Sequence, residues 1–103
     1  MSRYPFSDNI DDYVGSLQMT EESSESARRR LGNLGRVFHQ LKTERKIPSD
    51  SPARITADDV REFTERRISD GVSASTVRRD LQYLDGYLAF HDNDAAEIIL
   101  TEE

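Results

Sequence analysis

SASTVRRDLQYLDGYLAF, residues 73–90, is the stretch whose reading decides the fold. Val77, Leu81, Leu84 and Leu88 recur at intervals of 4, 3 and 4, which puts them on one face of an α-helix. The leading turns carry Ser73, Ser75, Thr76, Arg78 and Arg79, so hydroxyls and guanidiniums gather where the positive end of the helix dipole lies. One face is written for a core and the other for polar contact.

Working outward, Gly71 precedes this helix and closes another, because glycine accepts the left-handed backbone that ends a helix. That third helix opens at Thr56, with Asp59 as partner in an imperfect capping box, and runs with Val60, Phe63, Arg67 and Ile68 along one side. Pro48 and Pro52 sit in a loop over residues 48–54 and forbid continuation of the long second helix much past Ile47. The second helix spans about residues 23–45, with Ser23 and Ser24 as competing caps. Ala27, Leu31, Leu34, Phe38 and Leu41 form its stripe, joined by Val37. A first helix covers about residues 9–19, capped by Asn9 or Asp8, with Ile10, Tyr13, Val14 and Leu17 inward and Asp11 and Asp12 in its first turn. Asp92-Asn93-Asp94 breaks the fourth helix, and residues 95–100 add one or two turns. No β-alternation of useful length, internal repeat or low-complexity segment interrupts the pattern, so the chain reads as all-α.

A chain of 103 residues fits one small domain with a modest core. The absence of cysteine excludes disulfides and thiolate metal sites. No apolar run approaches the roughly 20 residues of a membrane span, and the N-terminus lacks the apolar core of a signal peptide. The expectation is a cytoplasmic protein without membrane contact. Net charge is −6, from 14 basic and 20 acidic residues, and all but Lys42 and Lys46 of the bases are arginine. That arginine bias with abundant acids is what a salt-loving source would produce, because net negative charge keeps its proteins in solution. The charge is unevenly spread: residues 23–46 carry seven bases and two acids, while both ends are acidic.

The fourth helix closely resembles that of the N-terminal core-binding domain of tyrosine recombinases, the phage integrases and Xer-type enzymes. That family shows a hydroxyl residue, an arginine three on, leucines at five and eight, and an aromatic at eleven. Those places are taken here by Thr76, Arg79, Leu81, Leu84 and Tyr87. The resemblance implies a four-to-five-helix bundle of the SAM-like type, with the second and fourth helices crossed and facing DNA. Residues 1–103 would be one such domain, its ends at 1–8 and 101–103 flexible. Its partners would be double-stranded DNA and other recombinase subunits assembled on it, with no cofactor, metal or small-molecule substrate. Phosphates would fall to Arg29, Arg36, Arg78 and Arg79. Ser26, Asn33, Ser75 and Thr76 would reach base edges or phosphate oxygens, with Arg30 on the same outward face. The sequence departs from the family at Arg30, where relatives show an aromatic, at Leu31-Gly32, where they often show bases, and at Asp85, where many carry another arginine.

Catalysis in that family belongs to a C-terminal domain with a tyrosine nucleophile assisted by arginine and histidine, and no such segment lies in residues 1–103. Tyr83 and Tyr87 read as core or rim aromatics whose hydroxyls reach solvent, and His39 and His91 as polar rim residues. No Ser/His/Asp set or phosphate loop is present, so this chain is not expected to be an enzyme. Arg61, Arg66 and Arg67 alternate with acids and read as a salt-bridged outer face. Gly32, Gly35 and Gly86 lie within helices, where each costs about 1 kcal/mol relative to alanine, and close approach of a neighbour would explain them. Two other readings remain open: an acidic helical adaptor, and a stand-alone helix-turn-helix regulator built on Gly71-Val72-Ser73.

Overall fold

Thr20, Thr56 and Ser73 start the three long helices by the same device. Each holds extended backbone, and its hydroxyl oxygen accepts the N–H three residues on, from Ser23 at 3.2 Å, Asp59 at 3.2 Å and Thr76 at 3.3 Å. The computed structural model describes residues 5–7 and 9–102. A single 3-10 turn at Pro5–Ser7 leads into α1 (Ile10–Ser16), α2 (Glu21–Thr43), α3 (Ala57–Ser69), α4 (Ala74–Phe90) and α5 (Ala95–Thr101). The described residues contain no strand, and the chain is all-α. None of these helices is long and apolar enough to cross a membrane.

The starts refine the sequence reading. Thr20, not Ser23 or Ser24, caps α2, and this lets Glu21 and Glu22 meet the positive end of the dipole. The capping box at Thr56 is complete, because the Thr56 N–H also donates to Asp59 Oδ2 at 3.1 Å. Asn9 precedes α1 without a side-chain cap bond, and Asp8 lies outside the described residues.

The three long helices also share one ending. In α2, Lys46 N–H bonds the Leu41 carbonyl and Arg45 N–H bonds that of Lys42. Val72 and Gly71 do the same to Arg67 and Ile68 in α3, as do Asn93 and Asp92 to Leu88 and Ala89 in α4. The left-handed residues are Arg45, Gly71 and Asp92, of which Gly71 and the Asp92-Asn93-Asp94 break were legible as stops and Arg45 was not. The first helix is shorter than expected. Ser16 Oγ donates to the Tyr13 carbonyl, Gln18 is left-handed at φ 51°, and the helix ends at Ser16. Leu17 therefore points out, 43% exposed, instead of joining the inner face, and Ile68 is likewise exposed near the end of α3.

α2 packs against α1, α3 and α4, and α5 closes over α3 and α4. Leu31, Leu34, Phe38 and Leu41 of α2 are fully buried with Leu81, Leu84 and Leu88 of α4, as their spacing predicts. The N-terminal segment contributes one side chain to the core. Phe6 has no exposed surface, stacks on Phe38 with ring centroids 5.5 Å apart, and accepts through its carbonyl the hydroxyl proton of Tyr87. Phe38 stacks in turn on Phe63 at 4.8 Å. Phe6 is thus part of the core, and at the other end Glu102 is held by Arg61 at 2.6 Å. Residues 1–4, 8 and 103 lie outside the described residues. Tyr87 is corrected as well: its hydroxyl is buried on a backbone partner and does not reach solvent.

The loop after α2 is pinned from two sides. Buried Asp50 sits beside His39, at 3.4 Å, and Lys42, at 3.6 Å. Asn93 donates its amide to the carbonyls of Pro52 and Ile55, both at 2.8 Å, and accepts from Ala95 N–H at 2.9 Å.

The helical glycines separate into two kinds. A Cβ on Gly35 would lie 2.8 Å from the Phe6 ring and 3.2 Å from Ser7 Oγ, whereas one on Gly32 would meet nothing within 4 Å. Gly35→Ala is expected to destabilise by about 1–3 kcal/mol through overpacking. Gly32→Ala should stabilise by about 0.5–1 kcal/mol through helix propensity. Paired urea titrations check the opposite signs, and equal shifts would contradict the close approach of Phe6 to α2.

Candidate nucleic-acid interface

The outer face of α2 presents Ser26, Arg29, Asn33 and Arg36 at helical spacing, all exposed. Arg29 has Glu25 one turn before it at 3.5 Å, with both side chains 71% exposed, and a pair so open holds its cation only weakly. On α4, Arg79 and Tyr83 stand four residues apart on one side, with Thr76 a turn earlier. Ser75, Thr76, Arg78 and Arg79 are exposed. The α4 hydroxyls form a small cluster around the cap: Ser73 Oγ lies 3.0 Å from Thr76 Oγ1 and 3.3 Å from Ser75 Oγ.

Arg30 joins the two helices. Its guanidinium donates from Nη1 to Asp80 Oδ1 at 2.8 Å and lies over the Tyr83 ring, 5.1 Å from its centroid. The second oxygen of Asp80 accepts from Arg67 Nη2 of α3 at 3.1 Å. The Asp80 side chain is 2% exposed, against 32% for Arg30 and 23% for Arg67. One buried carboxylate is therefore shared between two guanidiniums, and the trio carries one net positive charge. A groove of about 260 Å³ opens above it, lined by Ser26, Arg29, Arg30, Asn33 and Tyr83.

Four of the residues singled out in the sequence, Ser26, Arg29, Arg30 and Asn33, thus meet in one groove. Arg36 extends the α2 face beyond it, and Ser75, Thr76, Arg78 and Arg79 lie outside its lining, toward the start of α4. Two assignments change. Arg30 is not a solvent-facing cation but one oriented by a buried carboxylate and an aromatic ring. Arg67 is not part of an outer salt-bridged face, because it turns inward to Asp80. Arg61 does remain outside, on Asp58 and Glu102, and Arg66 pairs with Glu44 just past the end of α2. The hydrogen bond from Arg66 holds the Glu44 carboxyl below its ordinary range.

Asp80 and Tyr83 were missed as site residues, although a signal existed. Asp80 falls three after Val77 and four before Leu84, within the apolar stripe. Arg30 stands four before Leu34, and Arg67 four after Phe63. Three charges of both signs on core-facing stripes require one another, because a buried charge needs a partner.

Burial pushes the Asp85 carboxyl above its ordinary range. Tyr13 is pushed up by burial first and then by the charges of Asp85 and Tyr83. Comparison of the chain with family models, with curated proteins and with solved structures gave no match.

Proposed function

We propose that this chain is a DNA-binding domain of the kind that tyrosine recombinases and integrases carry ahead of their catalytic domain, an integrase-type core-binding fold that grips the duplex through α2 and α4. The observation that carries the reading is the groove between these helices, where Ser26, Arg29, Arg30 and Asn33 come together over a trio of net positive charge. An overall charge of −6 opposes DNA at long range, but local arginines act within a Debye length of about 8–10 Å. Arg29, Arg36, Arg78 and Arg79 neutralise phosphates, while the short polar side chains Ser26, Asn33, Ser75 and Thr76 reach phosphate oxygens or base edges. The domain positions DNA in the cytoplasm, beside other recombinase subunits, and leaves strand cleavage to a separate catalytic domain.

The test is the salt dependence of duplex binding, followed by fluorescence anisotropy from low ionic strength upward. Each phosphate contact releases condensed counterions, so Arg36→Ala and Arg79→Ala should each flatten the slope of log affinity against log salt by about 1. Arg66→Ala, which removes a cation held by Glu44 on α3, should leave the slope unchanged. If binding is clear and all three variants share one slope, the proposed face is wrong. A wild-type chain that binds no duplex at the lowest salt returns the fold to the acidic adaptor reading.

A further inference from the structure

We propose that Asp80 is a positioning residue of the groove: it fixes Arg30 across the face of Tyr83 so that the guanidinium meets a phosphodiester oxygen in a set orientation. The inference rests on the DNA-binding reading and adds to it a residue that touches no DNA. An arginine on a helix surface samples many rotamers, and ordering it on a ligand loses that freedom. Here the freedom is already gone. Asp80 Oδ1 takes one Nη of Arg30 at 2.8 Å, the Tyr83 ring lies beneath the guanidinium, and Arg67 occupies the other carboxylate oxygen at 3.1 Å. Because Arg67 shares Asp80, the carboxylate does not cancel Arg30, and the floor of the groove stays positive. Ser26 and Asn33 line the same groove and add a hydroxyl and an amide, donors suited to the remaining oxygens of a phosphodiester.

The sign of one substitution separates positioning from charge. Asp80→Asn removes a negative charge close to the groove, so electrostatics alone predicts tighter DNA binding and a steeper salt slope. Loss of positioning predicts the reverse: roughly tenfold weaker binding, one decade in Kd, and a slope shallower by about 1 because the Arg30 contact is lost. Asp85→Asn, which makes the same charge change on α4 outside the groove lining, is the matched control and should tighten binding. Circular dichroism establishes that each variant is folded at the temperature used. A purely structural role would weaken binding with the slope unchanged, and that result overturns the proposal, as does an Asp80→Asn protein that behaves like Asp85→Asn. If Asp80→Asn does not fold, Arg30→Lys carries the test. It keeps the charge but loses the planar fork that spans Asp80 and Tyr83. The same roughly tenfold loss is then expected, and wild-type affinity overturns the proposal. A wild-type chain without duplex binding overturns the DNA reading itself and this inference with it, which is a different result from a wild type that binds beside an Asp80→Asn protein that binds better.

Discussion

Phe6→Ala is expected to lower the free energy of unfolding by about 3–5 kcal/mol, the range for deleting a buried aromatic ring. Phe6 is wholly buried, stacked on Phe38 and tilted against Tyr87 with centroids 5.0 Å apart. Its removal opens a cavity between the aromatic rings of α2 and α4, and Tyr87 and Phe38 are themselves too tightly held to fill it. Against a total stability of about 5–15 kcal/mol for a domain of this size, the loss leaves little margin. Urea unfolding followed by circular dichroism measures it. Leu17→Ala, at a side chain left outside by the early end of α1, should stay within about 0.5 kcal/mol. A Phe6→Ala effect as small as that of Leu17→Ala would mean that the N-terminal turn does not dock on α2.

The second large effect is expected at Asp80→Ala. Removing the carboxylate leaves Arg30 and Arg67 as like charges without a counterion, and breaking a buried pair in this way costs about 3–5 kcal/mol. The partial exposure of both arginines lets their guanidiniums find water, which places the expected value at the low end, about 3 kcal/mol. Replacing the whole trio, with methionine at both arginines and leucine at Asp80, should by contrast be neutral or stabilising, because desolvation of the ions is relieved with their attraction. Chemical denaturation of the single and triple variants tests the pair of statements together. A triple variant as unstable as Asp80→Ala would show that the trio is there for stability. A stable triple variant that binds DNA poorly would show that it serves the groove.

The helices were legible because their apolar residues repeat. Leu81, Leu84 and Leu88 could face inward together only on a helix, and Ser73 and Gly71 carry the chemistry of a start and a stop. Phe6 was not legible in the same way. A lone aromatic after Pro5 has no period, and its burial depends on the absence of a Cβ at Gly35, 29 positions away. The ends of α1 and α2 were shifted for a related reason, whereas the end of α4 at Asp92-Asn93-Asp94 was legible. Gln18 and Arg45 adopt left-handed backbone that glycine would have announced. At the site, helical spacing alone gathered Ser26, Arg29, Asn33 and Arg36 on one face. The partnership of Arg30 with Asp80 and Tyr83 needed the pairing of α2 with α4, which no local pattern encodes. Charges lying on core stripes were the available clue: Arg30 and Arg67 were read as surface, and Asp80 was passed over.

The bond from Tyr87 to the Phe6 carbonyl closes a span of 81 residues, and this has a meaning in time as well as in energy. Helices form within microseconds from neighbours in sequence, whereas a contact across so long a loop gains nothing until the intervening chain is already ordered. The N-terminal turn is therefore expected to dock late, onto a bundle that α2, α3 and α4 have largely assembled, and Phe6→Ala should speed unfolding while leaving the refolding rate near that of the wild type. Interactions made after the folding barrier leave the folding rate alone and act on the rate of unfolding. The turn at Pro5–Ser7 is in this sense a latch: the bundle closes without it, and reopens slowly because of it.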